Sequence, residues 1–254
     1  MGMTRIEIIV LGLVLLPHYA LALDGAVPGS PNSTSFPVQS APARSDKASQ
    51  PDADPGVKRA VFAHETASRD ARHIADWVVA SGDSGGLPFV IIDKVNAKVF
   101  VFDAHGRIRG AAPALLGLAR GDDTVPGIGD RELSNIRPEE RTTPAGRFVA
   151  QRGMNARGED VVWVDYDSGV SLHRVITSNP RERRLERLAT PTPADNRISY
   201  GCINVPAAFY NDVVNPSFTG ANGIVYVLPE TRSIRQVFGA YDVAIRHPYA
   251  VEVR

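Results

Sequence analysis

The sequence contains one cysteine, Cys202, among its 254 residues. A single cysteine excludes an intramolecular disulfide and a metal cluster built from cysteines. A bias towards positive charge is also missing, because 28 Lys and Arg balance 28 Asp and Glu, and this argues against a nucleic-acid partner. Glycine and proline are instead abundant, at 22 and 19 residues, which favours a β-rich chain with many turns over a helical bundle.

Residues 1–22 have the pattern of an export signal. Arg5 supplies a positive charge, an apolar run too short to span a bilayer comfortably follows, and Ala20-Leu21-Ala22 offers a cleavage site. We expect cleavage, with an uncleaved anchor as the alternative. No later segment is apolar for long enough to form a membrane helix, so the mature protein is expected without a membrane span, in the periplasm. In an exported protein an unpaired cysteine is either reactive or inertly buried.

Composition and periodicity divide the rest of the chain. Residues 23–56 are rich in Pro, Ser, Ala and Asp and predict a flexible linker. Apolar residues at three- and four-residue steps predict an amphipathic N-terminal helix over 57–82. Residues 87–230 are predicted to form a mainly β domain, and 231–254 remain as a C-terminal extension.

Within residues 87–230, β-branched and aromatic runs alternate with turn residues. The predicted strands are 89–93 and 98–103, which form a hairpin, and then 147–154, 161–166, 170–176 and 224–228. Residues 118–141 lack periodicity and predict a long loop, while helices are expected to begin near Asn179 and Pro206. Trp163 and Tyr166 lie on one predicted strand, where core packing is the favoured role and a stacking wall beside an active site is the alternative.

The candidate catalytic residues lie in the run Arg197-Ile198-Ser199-Tyr200-Gly201-Cys202-Ile203-Asn204. This run follows a predicted strand that contains His173. A free thiol has a pKa of about 8.5 and needs a nearby base or positive charge to act as a nucleophile at neutral pH. An imidazole can take the thiol proton and later protonate a leaving amine. Gly201 allows close approach of the backbone, and N–H groups around it can hold an oxyanion. On the cysteine and the histidine alone, a small buried cysteine and a core histidine are the favoured interpretation.

The run Ser-Tyr-Gly-Cys-Ile-Asn with an upstream histidine resembles the active-site signature of the L,D-transpeptidases, the YkuD-type catalytic domain. Two further features resemble this family: Thr143-Pro144-Ala145-Gly146-Arg147-Phe148, and an opening hairpin with Asp93-Lys94 and Val101-Phe102-Asp103. The resemblance covers residues 87–229. It implies a β-sandwich of the L,D-transpeptidase catalytic-domain type with short helices, here preceded by the amphipathic helix.

Residue by residue, the resemblance makes Cys202 the nucleophile and His173 its base, oriented by a backbone carbonyl. It makes the N–H groups of Tyr200, Gly201 and Cys202 the oxyanion donors. Candidate substrate-binding residues are Ser199, Asn204 and Arg197. No metal or organic cofactor is implied, because the thiolate performs the chemistry.

Two departures from the family pattern stand out. Tyr200 occupies the place of a second histidine, and a phenol with a pKa of about 10 carries protons poorly at neutral pH. Cys202 also follows His173 by 29 residues, more than is usual, and the extra length contains the helix over 181–188. We interpret this helix as an inserted flap. Its arginines predict either a solvated surface or contacts with substrate carboxylates.

The function implied by the resemblance is L,D-transpeptidation of peptidoglycan tetrapeptide stems, with roles in cell wall biogenesis and cell shape. The stem is transferred to another stem in a 3–3 cross-link, or to an anchored envelope protein, and carbapenem-type inhibitors are expected to acylate the thiol. Two alternatives stay open. The same acyl-enzyme can release to water, as in an L,D-carboxypeptidase or amide hydrolase, or the chain can be a non-catalytic wall-binding relative.

Overall fold

The computed structural model describes residues 58–243, so the predicted signal, the linker and the end of the C-terminal extension lie outside the described residues. The strands are β1 (Phe89–Asp93), β2 (Lys98–Phe102), β3 (Ile108–Pro113), β4 (Leu116–Gly117), β5 (Gly146–Met154), β6 (Asp160–Asp165), β7 (Val170–Arg174), β8 (Arg197–Ser199), β9 (Ile203–Val205) and β10 (Gly223–Val227). The helices are α1 (Arg69–Ser81), α2 (Arg184–Ala189), α3 (Ala207–Phe209), α4 (Asn215–Ser217) and α5 (Ile234–Phe238).

Eight strands form one sheet in the order β3-β2-β1-β10-β5-β6-β7-β9, and β4 pairs with β8 in a second, two-stranded sheet. Most neighbours are antiparallel, but β1–β10, β7–β9 and β4–β8 are parallel. The predicted mainly β fold with short helices is confirmed.

A central hydrophobic cluster joins the two halves of the large sheet. Val90 and Val99 from the β1–β2 half share it with Val162 and Leu172 from the β6–β7 half. Because both halves contribute to one cluster, the sheet curves around it and its halves face each other as the layers of a sandwich do. Burial of these aliphatic side chains stabilises the fold by roughly 1.5–3 kcal/mol each.

The N-terminal helix is shorter than predicted. Helix α1 begins at Arg69, where the Ser68 side chain accepts a hydrogen bond from the Ala71 N–H and caps the helix. The preceding residues are not helical, because Val61 forms a β-bridge with Arg107 at the edge of the sheet. The prediction of a helix over 57–82 was therefore wrong for residues 58–68. A sequence period cannot distinguish a strand that continues into a helix from one long helix.

Helix α1 covers the second face of the β1–β2–β10 part of the sheet. Its buried residues Ile74 and Val78 pack in a second cluster with Phe89, Phe100 and Tyr226. Helix α5 joins the same cluster, so the described part of the predicted C-terminal extension packs on the sheet.

The predicted loop over 118–141 contains three short 3₁₀ turns, at Ile128–Asp130, Leu133–Asn135 and Pro138–Glu140. The helix predicted from Pro206 runs from α3 through a π-helical segment, Tyr210–Val214, into α4. Within residues 58–243, no helix is both long and apolar enough to cross a bilayer.

Candidate active site

The parallel pairing of β7 with β9 brings the histidine and the cysteine together. His173 on β7 lies opposite Asn204 on β9, and Cys202 is in the turn immediately before β9. Parallel neighbours require a long crossover connection, which residues 175–196 provide. His173 and Cys202, which are 29 positions apart in the sequence, are therefore brought together in space.

The thiol of Cys202 is half-buried and faces polar atoms from the start of β7. Its Sγ lies 3.6 Å from Ser171 Oγ and donates to the carbonyl oxygen of Gly169 at 3.4 Å. Ser171 precedes His173 by two residues, so both side chains project from the same face of the strand. The spacing of Ser171 and His173 in the sequence is the signal that identifies Ser171 as a residue of the site.

A backbone carbonyl orients His173. Nδ1 lies 2.7 Å from the carbonyl oxygen of Arg174, which can only accept, so the proton is assigned to Nδ1 and Nε2 is left to interact with the thiol. Burial lowers the pKa of His173. The hydrogen bond and charge of Cys202, together with the hydrogen bond to the Arg174 carbonyl, raise this pKa by more than burial lowers it. The net effect is a pKa above the ordinary value of a histidine.

The pKa of the Cys202 thiol shifts in the opposite direction. Burial raises it, but the hydrogen bond and charge of His173, together with hydrogen bonds from Ser171, lower it by more. A lowered thiol pKa beside a raised imidazole pKa favours the thiolate–imidazolium pair. Such a pair supplies a nucleophile and a proton donor at neutral pH.

Gly201 fixes the turn that carries the thiol. Its φ of +135° is a conformation that L-residues rarely adopt, and a Cβ built there would lie 2.8 Å from the Thr142 carbonyl oxygen. The Gly201 carbonyl accepts from Thr143 Oγ1 at 2.8 Å, and its N–H donates to Ser199 Oγ at 3.1 Å. The Gly201 N–H is thus bonded within the turn, which leaves Tyr200 and Cys202 as the candidate oxyanion donors.

The three residues predicted to bind substrate make hydrogen bonds within the protein. Ser199 is buried and its Oγ donates to the Cys202 carbonyl at 2.6 Å. Asn204 is also buried and donates to the same carbonyl at 3.3 Å. Arg197 bonds Glu230 Oε2 at 2.6 Å. Substrate binding by these residues stays a prediction, and the sequence run alone does not show which of its side chains turn inward.

Tyr200 does lie at the site. Its ring is 36% exposed and lies beneath the Arg141 guanidinium, 4.0 Å from the ring centre. The cation–π contact holds the phenol beside the thiol. A cavity of about 110 Å³ opens there, lined by Tyr200, Cys202 and the apolar side chains of Ile128 and Ile136 from the 118–141 loop.

A second cavity, of about 440 Å³, has His173 in its wall together with Val175, Ile176 and Thr177 from the crossover connection. The cysteine and the histidine therefore each border a separate opening.

The predicted flap reaches the site through one arginine. Arg184 on α2 donates from a terminal guanidinium nitrogen to Asn204 Oδ1 at 2.8 Å, and Asn204 in turn holds the Cys202 carbonyl. Arg184 also pairs with Glu182 at 2.5 Å. Its positive charge acts against the raised pKa of His173. The sequence pattern gives these arginines one common role, and only the structure distinguishes Arg184 from its exposed neighbour Arg183.

A buried ionic network lies behind the turn. Lys94 Nζ donates to Asp122 Oδ1 at 2.8 Å and to the Thr143 carbonyl at 2.9 Å. Glu230 lies 3.7 Å from Lys94 and pairs with Arg197. Because Thr143 also bonds the Gly201 carbonyl, the network is connected directly to the nucleophile turn.

Among the described residues, no group of three or more His, Cys, Asp or Glu side chains is arranged to hold a metal ion. The residues described above suit acyl transfer through a thiolate, with an imidazolium as proton donor and backbone N–H groups as oxyanion donors.

No family model and no curated protein matches the sequence. Solved structures of L,D-transpeptidases do match. One, from Xylanimonas cellulosilytica, is 17% identical and has a TM-score of 0.35, with 56% of this chain and 60% of that chain covered. Another, LdtMt1 in complex with imipenem, is 17% identical with a TM-score of 0.31, covering 56% of this chain and 58% of that one.

The helical cell shape determining protein Pgp2 from Campylobacter jejuni also matches, at 15% identity and a TM-score of 0.37, with 58% of this chain and 49% of that chain covered. The chain thus spans between 49% and 60% of these three structures. L,D-transpeptidases are among the structures it resembles, as the sequence predicts. Identities and TM-scores this low support no inference about activity, which rests on the site.

Proposed function

We propose that this protein is a cysteine-dependent L,D-transpeptidase that acts on tetrapeptide stems of peptidoglycan. The observation that carries the proposal is the Cys202–His173 pair, in which each group shifts the pKa of the other towards the charged form. The pair belongs to the motif that resembles the family signature, and Gly201 holds the turn in a conformation suited to an exposed nucleophile.

In the proposed reaction, the Cys202 thiolate attacks the carbonyl carbon of the third stem residue, and the negative charge moves to the carbonyl oxygen. The N–H groups of Tyr200 and Cys202 stabilise this oxyanion. The bond to the fourth residue breaks, and the His173 imidazolium protonates the leaving amine. The resulting thioester is attacked by an acceptor amine, whose proton returns to His173 as the thiolate is released.

Two openings at the site support transfer to an amine. The cavity lined by Tyr200 and Cys202 and the cavity lined by His173 have no lining residue in common. A donor stem bound in one leaves the other open for an acceptor near the base. The acceptor is a second stem, or an anchored envelope protein with a free amine.

A hydrolase is the second candidate, because water replaces the acceptor amine without any other change. The feature that favours it is Tyr200, whose phenol is a poor proton carrier where the family has a histidine. In that case the product is a shortened stem rather than a cross-link.

The deciding experiment incubates the protein and its Cys202→Ala variant with disaccharide-tetrapeptide and reads the products by mass spectrometry. New dimers joined 3–3 that depend on Cys202 would support transpeptidation, and tripeptide alone would assign the protein as a carboxypeptidase. A wall-binding relative would give no Cys202-dependent product, and its thiol would react with iodoacetamide no faster than an ordinary cysteine.

The proposed function also implies which inhibitors react with the protein and where in the cell the protein acts. Imipenem, which is bound in the LdtMt1 structure, is expected to acylate Cys202 and add its mass to the wild-type chain only. A wall substrate requires export, which the pattern over residues 1–22 would provide. N-terminal sequencing of the protein from a periplasmic fraction tests whether cleavage follows Ala22.

A further inference from the structure

Trp163 and Tyr166 do not pack in the core. Neither belongs to the two hydrophobic clusters, and Tyr166 is 72% exposed. Their rings meet edge to face, with centres 5.1 Å apart and planes at 66°. An exposed tyrosine held in one orientation by a tryptophan offers a rigid aromatic surface at low entropic cost.

The aromatic pair lies on the same sheet face as the reactive thiol. Trp163 on β6 is opposite Gln151 on β5 and Ser171 on β7. Their neighbours along the strands, including Val162 and Leu172, point into the central cluster, so these three side chains point the other way. Ser171 Oγ lies 3.6 Å from Cys202 Sγ, so Trp163 is one strand away from a residue that contacts the nucleophile.

Gly153 allows the indole to lie across the neighbouring strand. A Cβ at Gly153 would lie 2.7 Å from Trp163 Cδ1, a distance that side chains do not tolerate. The absence of a side chain at this position keeps the ring close to the sheet and the surface flat. Exposed Gln151, which is opposite Trp163, adds an amide that both donates and accepts hydrogen bonds.

This combination fits a sugar ring better than an apolar peptide. The C–H face of a pyranose packs on the negative face of an aromatic ring, while its hydroxyl or acetamido groups need polar partners such as an amide. A neutral N-acetylhexosamine also requires no charged partner.

The spacing matches a sugar attached to the stem. Neighbouring strands are about 4.8 Å apart, so two strand spacings place Trp163 about 10 Å from the turn that carries Cys202. Three extended residues span at most about 10–11 Å. A stem whose third residue reaches Cys202 can therefore bring its attached sugar to Trp163, whose ring contacts Tyr166.

We propose that Trp163 and Tyr166 form a binding platform for the N-acetylated glycan of the substrate. This inference rests on the proposed function for its biological substrate, but sugar binding is testable without it. The platform would make glycan-linked stems better substrates than free tetrapeptides.

The first test titrates the full chain with a tetramer of N-acetylglucosamine and follows tryptophan fluorescence. The chain has two tryptophans, and Trp77 is only 7% exposed, so a ligand-dependent change reports Trp163. We expect saturable binding that is weakened about 2- to 10-fold in Tyr166→Ala, as expected for loss of one aromatic contact. Val95→Ala removes another exposed apolar side chain, in the β1–β2 turn, and should bind like wild type. No saturable binding, or equal binding by Tyr166→Ala, would overturn the proposal.

The second test compares KM for disaccharide-tetrapeptide and for free tetrapeptide. Tyr166→Ala should raise KM for the glycan-linked substrate alone, and equal effects on both substrates would contradict the platform. Failure of wild type to process either substrate would count against the proposed function only, because the fluorescence titration decides sugar binding independently. Trp163→Phe should lose the ligand-dependent fluorescence change. A Tm equal to that of wild type would show that this loss of signal is not caused by unfolding.

Discussion

Cys202 and His173 depend on each other for their charge. The lowered pKa of the thiol means that its reactivity persists below pH 8.5 and falls as pH drops through that lowered value. The raised pKa of His173 means that the imidazolium is lost only when pH rises above its ordinary range. Acyl transfer is therefore expected between these two limits, with thiolate lost on the acid side and proton donor lost on the alkaline side.

We predict that His173→Ala lowers the rate of iodoacetamide alkylation at pH 7 by about tenfold or more. Without the imidazolium, burial still raises the pKa of the thiol and only the hydrogen bonds from Ser171 still lower it, so the pKa of Cys202 rises. The measurement is the alkylation rate as a function of pH, in which the midpoint should move to higher pH.

His105→Ala is the matched control, because His105 is an exposed residue of a surface turn. It should leave the alkylation profile unchanged. If His173→Ala had the wild-type midpoint, the thiolate–imidazolium pair would be wrong.

Gly201→Ala is predicted to abolish turnover and to lower Tm. The added methyl group would lie 2.8 Å from the Thr142 carbonyl, so the turn must move and carry Cys202 with it. Gly158→Ala provides the comparison, since Gly158 also has a positive φ, of +76°, but open space around its Cβ position. Turnover and Tm of both variants separate backbone strain from the steric clash, and near-equal losses would contradict a specific role for the Thr142 contact.

At the scale of elements, α2 controls the site through Arg184. We predict that Arg184→Gln raises the pKa of His173, because it removes a positive charge that lowers that pKa. NMR titration of the imidazole C–H signals should show the His173 transition at higher pH. Turnover should also fall, since Asn204 loses its partner.

Arg183→Gln is the control for Arg184→Gln. Arg183 lies one residue earlier and pairs with Glu186 on the exposed side of the helix. Its removal should leave the His173 titration where it is in wild type. A shift of equal size in both variants would indicate a general charge effect rather than the contact with Asn204.

Long, regular elements could be predicted from the sequence, and short ones could not. The β1–β2 hairpin and strands β5, β6, β7 and β10 have β-branched runs that identify them. Strands β8 and β9 have three residues each, and β4 has two. Strands this short do not show the alternation of apolar and polar residues from which a strand is predicted. Their pairing depends on distant partners such as Leu115, which bonds Asn204.

The site was predictable to a similar degree. Cys202 and His173 followed from their chemistry and the motif, and the structure brings them together. The hydrogen bonds that Ser199, Asn204 and Arg197 make within the protein could not be predicted, because inward and outward positions in a turn depend on tertiary contacts. Arg197, for example, bonds Glu230, a residue 33 positions later.

For the whole molecule, the buried network around Lys94 connects sheet, loop and nucleophile turn. Lys94 and Asp122 have side chains that are fully buried. Removing one member of a buried ion pair leaves an uncompensated charge and costs about 3–5 kcal/mol. We therefore predict that Lys94→Met lowers the free energy of unfolding by about this amount in chemical denaturation.

Arg107→Gln is the comparison for Lys94→Met, because Arg107 is exposed and its ion pair with Asp103 is at the surface. Such a pair contributes about 0–1 kcal/mol. Equal stability losses in the two variants would show that burial of Lys94 does not matter.

The parallel pairing of β7 and β9 also determines at which stage of folding the Cys202 thiol becomes reactive. A parallel pair forms only after its crossover connection has closed, which is a late, non-local event in folding. Until then Cys202 is an ordinary thiol with no imidazolium beside it, so an incompletely folded chain does not expose an activated thiolate to other proteins. Activation of the nucleophile is therefore coupled to the completion of folding.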